Sequence, residues 1–124
     1  MTFFFSISIA IPIFINDSEL FVSVEMSESV SFSCAAEGVP SPVITWIKYG
    51  GGIFEGNSNK NENILITNIP LGMMVKSTLT INSTVLSDSS TYICMASNNV
   101  GSVNSASVVL TVTGQLHKLL VMLR

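Results

Sequence analysis

Charge is scarce in this sequence: Asp, Glu, Lys and Arg make up 10% of the 124 residues, against about 25% in an ordinary soluble domain. Apolar residues stand at 48%, so the low-hydrophobicity, high-charge composition of disordered chains is excluded; this chain folds or aggregates. Basic residues are scarcer still. Two of the five, Lys118 and Arg124, lie in the last seven positions, and residues 11 to 114 carry eight acids against three lysines, a net of −5. That balance argues against a phosphate-binding surface and sets nucleic acid aside as a partner. Long apolar runs are also missing near the end, where Leu116 to Leu123 is eight residues broken by His117 and Lys118, too short for the ~20 residues of a membrane span. The length suits one core and not comfortably two.

Small polar residues stand in for the missing charge: 19 Ser, 9 Thr and 10 Asn are dispersed along the chain, a composition that favours strands and turns over long helices. Val30-Ser31-Phe32-Ser33-Cys34-Ala35-Ala36 alternates apolar residues with serines, the period of a strand with one dry face. A turn is predicted over Glu37 to Pro42, where two prolines withdraw their N–H donors. Val43 to Lys48 reads as the next strand, closed by Gly50-Gly51-Gly52, and Gly56 to Asn63 reads as a polar loop. Short strands are predicted at Ile64–Thr67 and Val75–Asn82, the latter with Val75, Ser77, Leu79 and Ile81 on one face. Further strands follow at Thr91–Ala96 and Ser107–Val112, separated by a loop at Asn98 to Gly101. No window shows a sustained 3.6-residue apolar period, and turn signals recur as in an all-β sandwich.

Two cysteines 60 positions apart, with the single tryptophan 12 residues after the first, are the most informative feature. Cys34 shares its side of the strand with Val30 and Phe32, and Cys94 with Tyr92 and Ala96, so both point into one core and can meet between two packed sheets. Trp46 shares its side with Ile44.

Cys34, Trp46 and the run Asp88-Ser89-Ser90-Thr91-Tyr92-Ile93-Cys94 resemble the Cys, Trp, Asp-x-x-x-Tyr-x-Cys signature of immunoglobulin domains. Ala96-Ser97-Asn98-Asn99-Val100-Gly101 resembles the Ala-x-Asn-x-x-Gly start of the last hairpin in the intermediate, or I-set, branch, as do Gly38-Val39-Pro40-Ser41-Pro42 and Leu79-Thr80-Ile81. The resemblance runs from about Ile11 to Val112. It implies an all-β Greek-key sandwich of two antiparallel sheets with one inter-sheet disulfide, Cys34–Cys94, with Trp46 against the sulfurs and Tyr92 as a tyrosine corner. Ser90 stands where the family usually carries Gly or Ala. No Arg lies near Ile64, so the buried Arg–Asp pair of variable-type domains is expected to be missing and Asp88 to tie down the adjacent turn backbone. A structural disulfide also implies a secreted or cell-surface protein.

The domain is expected over residues 11–113. Residues 1–10 are either a partial signal segment, with Ser8 and Ala10 as small residues before a cleavage site, or an irregular extension ahead of a strand at Ile11–Ile15. Residues 114–124 read as a linker or truncated tail, and the whole as a fragment of a longer chain. Asn16-Asp17-Ser18 and Asn82-Ser83-Thr84 are N-glycosylation sequons, making Asn16 and Asn82 candidate glycan sites.

Catalytic chemistry finds no residues here. His117, the one histidine, lies outside the domain, both cysteines are committed to the bridge, and Gly50-Gly51-Gly52 lacks the Lys-Ser/Thr of a phosphate loop. The acids Asp17, Glu19, Glu25 and Glu28 have no calcium-loop spacing and read as a solvated face. No enzyme activity, metal or cofactor is expected. What remains is surface: on the strands the family letters G, F and C, alternation points Val109, Ile93, Met95 and Ile47 away from the core, with Tyr49 at the edge. These five form the expected contact face for a protein partner, homophilic or heterophilic. The resemblance implies an extracellular recognition or adhesion module, as in neural cell-adhesion molecules and hemicentin-type matrix arrays. Its alternatives are a structural module of an intracellular titin-like muscle protein, or the docking domain of a receptor kinase or peroxidasin-like enzyme.

Overall fold

A computed structural model describes residues 9–50, 52–55 and 63–114, with only the strand itself described for 53–55. The rest of the expected N-terminal segment, most of the polar loop from Gly56 onward, and the expected tail past Gly114 lie outside the described residues. The described residues form ten strands: β1 (Ala10–Phe14), β2 (Leu20–Glu25), β3 (Val30–Val39), β4 (Val43–Lys48), β5 (Gly52–Glu55), β6 (Ile64–Leu71), β7 (Met74–Ile81), β8 (Ser90–Ser97), β9 (Ser102–Asn104) and β10 (Val108–Thr113). One short 3-10 turn, Leu86–Asp88, precedes β8. The smaller sheet runs β1-β3-β7-β6 and the larger β2-β10-β8-β4-β5, with β9 also paired to β8. This is the all-β, two-sheet Greek-key sandwich expected from the sequence.

Among the described residues, every strand pairing is antiparallel except one: β2 runs parallel to β10 over six residue pairs, Leu20 with Val108 through Glu25 with Thr113. The first part of the chain pairs with β3 in one sheet, crosses at residues 15–19 and joins the other sheet as β2. Asp17 holds that crossover, its Oδ1 accepting a 2.7 Å hydrogen bond from the Ala106 N–H. Asp17 is exposed, as expected of a solvated acid, and it has a further role: between β9 and β10 the Ala106 N–H has the carboxylate as its partner.

Two strands run well past their expected bounds. The turn expected from Glu37 begins only after Val39, because Glu37 pairs with both Ile13 and Met74. Gly38 lies inside that strand as a point of close approach: a Cβ there would stand 3.2 Å from the Pro12 Cα and from the Asn98 side chain. The strand expected at Ile64–Thr67 continues to Leu71 through Pro70, which is tolerated because β6 is an edge strand. The strand expected at Ser107–Val112 is found as β10, and β9 ahead of it is a further strand, not expected from the sequence; between the two, Ser105 donates its N–H to the Cys94 carbonyl and accepts from the Cys94 N–H, each at 2.8 Å.

The core lies between the sheets. Phe32, Ile44, Trp46, Ile66, Leu79, Ile81, Tyr92 and Leu110 are buried in it, as the alternation of β3 and β7 predicts. Phe32 packs edge-on against Trp46 and tilted against Tyr92, with ring centroids 5.6 and 5.1 Å apart. The Cys34–Cys94 disulfide joins the sheets across a Cα separation of 6.7 Å.

Candidate protein-binding face

Each signature residue has a structural partner. The Trp46 indole N–H donates to the Ser77 hydroxyl at 2.8 Å, so one buried polar atom satisfies another. Asp88 is buried, and its Oδ2 accepts the Val85 N–H at 2.8 Å, closing the 3-10 turn. The Tyr92 hydroxyl donates to the Asp88 backbone carbonyl at 2.6 Å, the tyrosine-corner arrangement that the resemblance implies. At the opposite end Asn98 binds four groups. Its Nδ2 donates to the carbonyls of Ala10 and Pro40, and its Oδ1 accepts from the N–H groups of Val100 and Gly101. Gly101 lies against Ile11 beside it: a Cβ there would come within 2.7 Å of the Ile11 Cδ1, so that side chain would have to shift. Among the described residues, no group of three or more His, Cys, Asp and Glu is placed to hold a metal ion.

Burial pushes the Tyr92 phenol well above the usual tyrosine range, and the nearby Asp88 carboxylate adds to the shift. A folded-state pKa raised above the unfolded value means that the stabilisation is fully present below about pH 10 and lost as pH rises further. Above that point, Tyr92 is expected to contribute a fall of about 1.4 kcal/mol per pH unit. Tyr92→Phe removes this contribution and costs about 1–2 kcal/mol at neutral pH by orphaning the Asp88 carbonyl. Urea unfolding of both proteins at pH 7, 9 and 11 checks this; parallel alkaline losses in the two would refute it.

The sequons sit differently from one another. Asn82 is exposed at the end of β7, but Thr84 is buried and its hydroxyl donates to the Glu28 carbonyl at 2.9 Å. Asn16 is exposed in the left-handed region at φ 53°, a conformation that Asn tolerates well.

Four of the five residues expected on the contact face lie on strands of the larger sheet and Tyr49 just past the end of β4, but they are not equally in the open. Ile47, Met95 and Val109 are half-buried, and Tyr49 is 59% exposed. Ile93 is corrected: it is only 6% exposed, with the Ile47 side of β4 directly opposite it. Phe21 was missed. It is 72% exposed and pairs with Val109 on the outward side of β2, while Val22 and Val24 pack against the core. The alternation in Leu20-Phe21-Val22-Ser23-Val24 was the signal available for it. A second apolar surface lies on the smaller sheet, where Ile9, Ile11, Ile13, Val39 and Met73 line a groove of about 500 Å³.

The immunoglobulin domain profile matches residues 13–98. The chain is 36% identical over 93 residues to the cell adhesion molecule Dscam1 of Drosophila melanogaster, covering 75% of this chain and 4% of that protein. It is 33% identical over 96 residues to mouse hemicentin-1, covering 77% of this chain and 2% of the relative. The chain thus spans a few per cent of the length of these relatives. Among solved structures, the tandem Ig repeats of Dlar superpose with a TM-score of 0.67 at 30% identity, covering 86% of this chain and 50% of that one.

Proposed function

The chain belongs to the immunoglobulin domain family, and from that membership we propose that it is a non-catalytic recognition module of the extracellular space, binding a protein partner through the outward side of its larger sheet. The observation that carries this reading is that face itself. Phe21, Ile47, Tyr49, Met95 and Val109 present apolar surface without a charged side chain among them. They stand on strands locked from behind by the disulfide and the Trp46–Ser77 bond, so binding orders little that is not already ordered. The bridge supports an oxidising compartment, and exposed Asn82 supports a glycan held clear of the core. Within a longer adhesion or matrix chain, such a module acts as one recognition unit among several.

The test is secretion from eukaryotic cells followed by binding to a panel of purified ectodomains. The secreted chain is expected to shift in mass on glycosidase treatment and to lose at least tenfold in binding on Ile47→Lys, about 1.4 kcal/mol, with an unchanged melting temperature. Binding that survives Ile47→Lys sinks the face, while free thiols at Cys34 and Cys94 in native tissue sink the extracellular assignment in favour of an intracellular muscle module.

A further inference from the structure

Folding treats the two sequons differently. At Asn82-Ser83-Thr84 the acceptor residue Asn82 is exposed, but the segment that carries it is bound along its length. The Asn82 N–H donates to the Asn63 carbonyl at 2.8 Å, and the Asn63 side chain clasps Ser83 twice: its Oδ1 accepts the Ser83 N–H at 2.9 Å and its Nδ2 donates to the Ser83 carbonyl at 2.6 Å. Thr84 then turns inward and is 1% exposed. Its N–H donates to the Glu28 carbonyl at 3.0 Å and its carbonyl accepts the Ser27 N–H at 2.8 Å. Its hydroxyl donates to the Glu28 carbonyl at 2.9 Å, with the Glu25 carbonyl at 3.2 Å. In Asn16-Asp17-Ser18, by contrast, all three residues are exposed.

An N-glycosylation triplet is recognised through its hydroxyl as well as its amide, since the residue two places past the asparagine must be Ser or Thr. In the folded domain the Asn82 side faces out and the Thr84 hydroxyl faces in. Offering both to a transferase means lifting Thr84 from the interior and parting Asn82 and Ser83 from Asn63, which strips the Ser27 N–H of its acceptor and costs a local unfolding. The Glu28 partner lies 56 residues back in the chain. Closure of this triplet is thus a tertiary event, absent until the turn between β2 and β3 meets the end of β7.

We propose that Asn82 is a glycan site open only in the unfolded chain, taking an oligosaccharide from a lipid pyrophosphate carrier before Thr84 is buried, whereas the Asn16 triplet stays open on the folded domain; the proposal rests on the extracellular reading above. In the transfer, the Asn82 amide nitrogen bonds C1 of the first sugar. The bond from C1 to the pyrophosphate oxygen breaks, its electron pair leaves with the pyrophosphate, and one amide proton is released. No oxidant or reductant enters. Once attached, the sugar stands on the exposed asparagine while Thr84 goes inward, so the folded domain carries a glycan that it does not itself accept. Occupancy at Asn82 then records a race between transfer and folding.

The deciding experiment offers a purified oligosaccharyltransferase and its lipid-linked donor two forms of the full chain made in bacteria, one oxidised and folded, the other reduced with both cysteines alkylated. A synthetic peptide of residues 79–87 is the third acceptor, and mass spectrometry reads occupancy at each asparagine. The peptide and the alkylated chain are expected to be modified at Asn82, and the folded chain at least about tenfold more slowly there, with a smaller change at Asn16. Equal rates at Asn82 in the folded and alkylated chains, or no transfer to the peptide, overturn the proposal. An equal fall at both asparagines also overturns it, because compactness and not the burial of Thr84 would then be the barrier. The expected pattern with purified components, in a chain that cells never export, would sink the extracellular reading alone.

Discussion

Replacing both cysteines, Cys34→Ala with Cys94→Ala, is expected to cost about 4 kcal/mol of folding stability. The bridge closes a loop of 60 residues. Removing such a cross-link restores conformational freedom to the unfolded chain, which in the chain-entropy account grows with the logarithm of loop length. Small domains have only about 5–15 kcal/mol in total, so the loss is a large share of it. For a domain of about 100 residues, 1 kcal/mol corresponds to about 4–8 °C, so the melting temperature should fall by about 15–30 °C. Reduction of the wild-type bridge should act in the same direction. Urea denaturation of the double variant measures the effect, and a loss under about 1 kcal/mol would mean that the unfolded chain is already restricted without the bridge.

Trp46 gives the second large effect. It is almost wholly buried, with Phe32 against its edge and its indole N–H bonded to Ser77. Trp46→Ala is expected to cost about 3–5 kcal/mol through lost burial and the cavity left behind. Trp46→Phe separates packing from hydrogen bonding. It leaves the Ser77 hydroxyl buried without its donor, a penalty of about 1–3 kcal/mol beyond the change in volume. Adding Ser77→Ala removes the orphaned group, so the double variant should be more stable than Trp46→Phe alone. Thermal and urea unfolding of the three proteins decides it. If Ser77→Ala makes the Trp46→Phe chain less stable still, the bond is not what holds the tryptophan in place.

Much of this was legible in the sequence for a definite physical reason. Alternation has period two, so once Val30, Phe32 and Cys34 lie on one side, the interior positions of that strand follow, and the same holds for Val75 to Ile81. The pairing of Cys34 with Cys94 followed from the same logic together with a known signature. What alternation does not encode is neighbourhood. Ile93 does point outward, but whether an outward side chain meets solvent depends on the strands beside it, and β8 has strands on both sides. Phe21 escaped for the converse reason. Its strand joins the larger sheet by a parallel pairing remote in sequence, and no local turn announces such a partner. Gly38 was read as a turn residue because glycine serves equally where a backbone must pass close by, and only the packing of Pro12 and Asn98 tells the two uses apart.

That parallel pairing also determines how the domain meets a mechanical load. The β2 ladder begins at Leu20 beside Val108 and ends at Glu25 beside Thr113. Tension applied backward from residue 20 and forward from residue 113 therefore pulls the two strands past one another along their length. The inter-strand hydrogen bonds are then strained together in shear, instead of being peeled one after another as in a hairpin pulled from its open end. A tether built this way resists stretching along the line from residue 20 to residue 113, while the outward side of its larger sheet stays in shape.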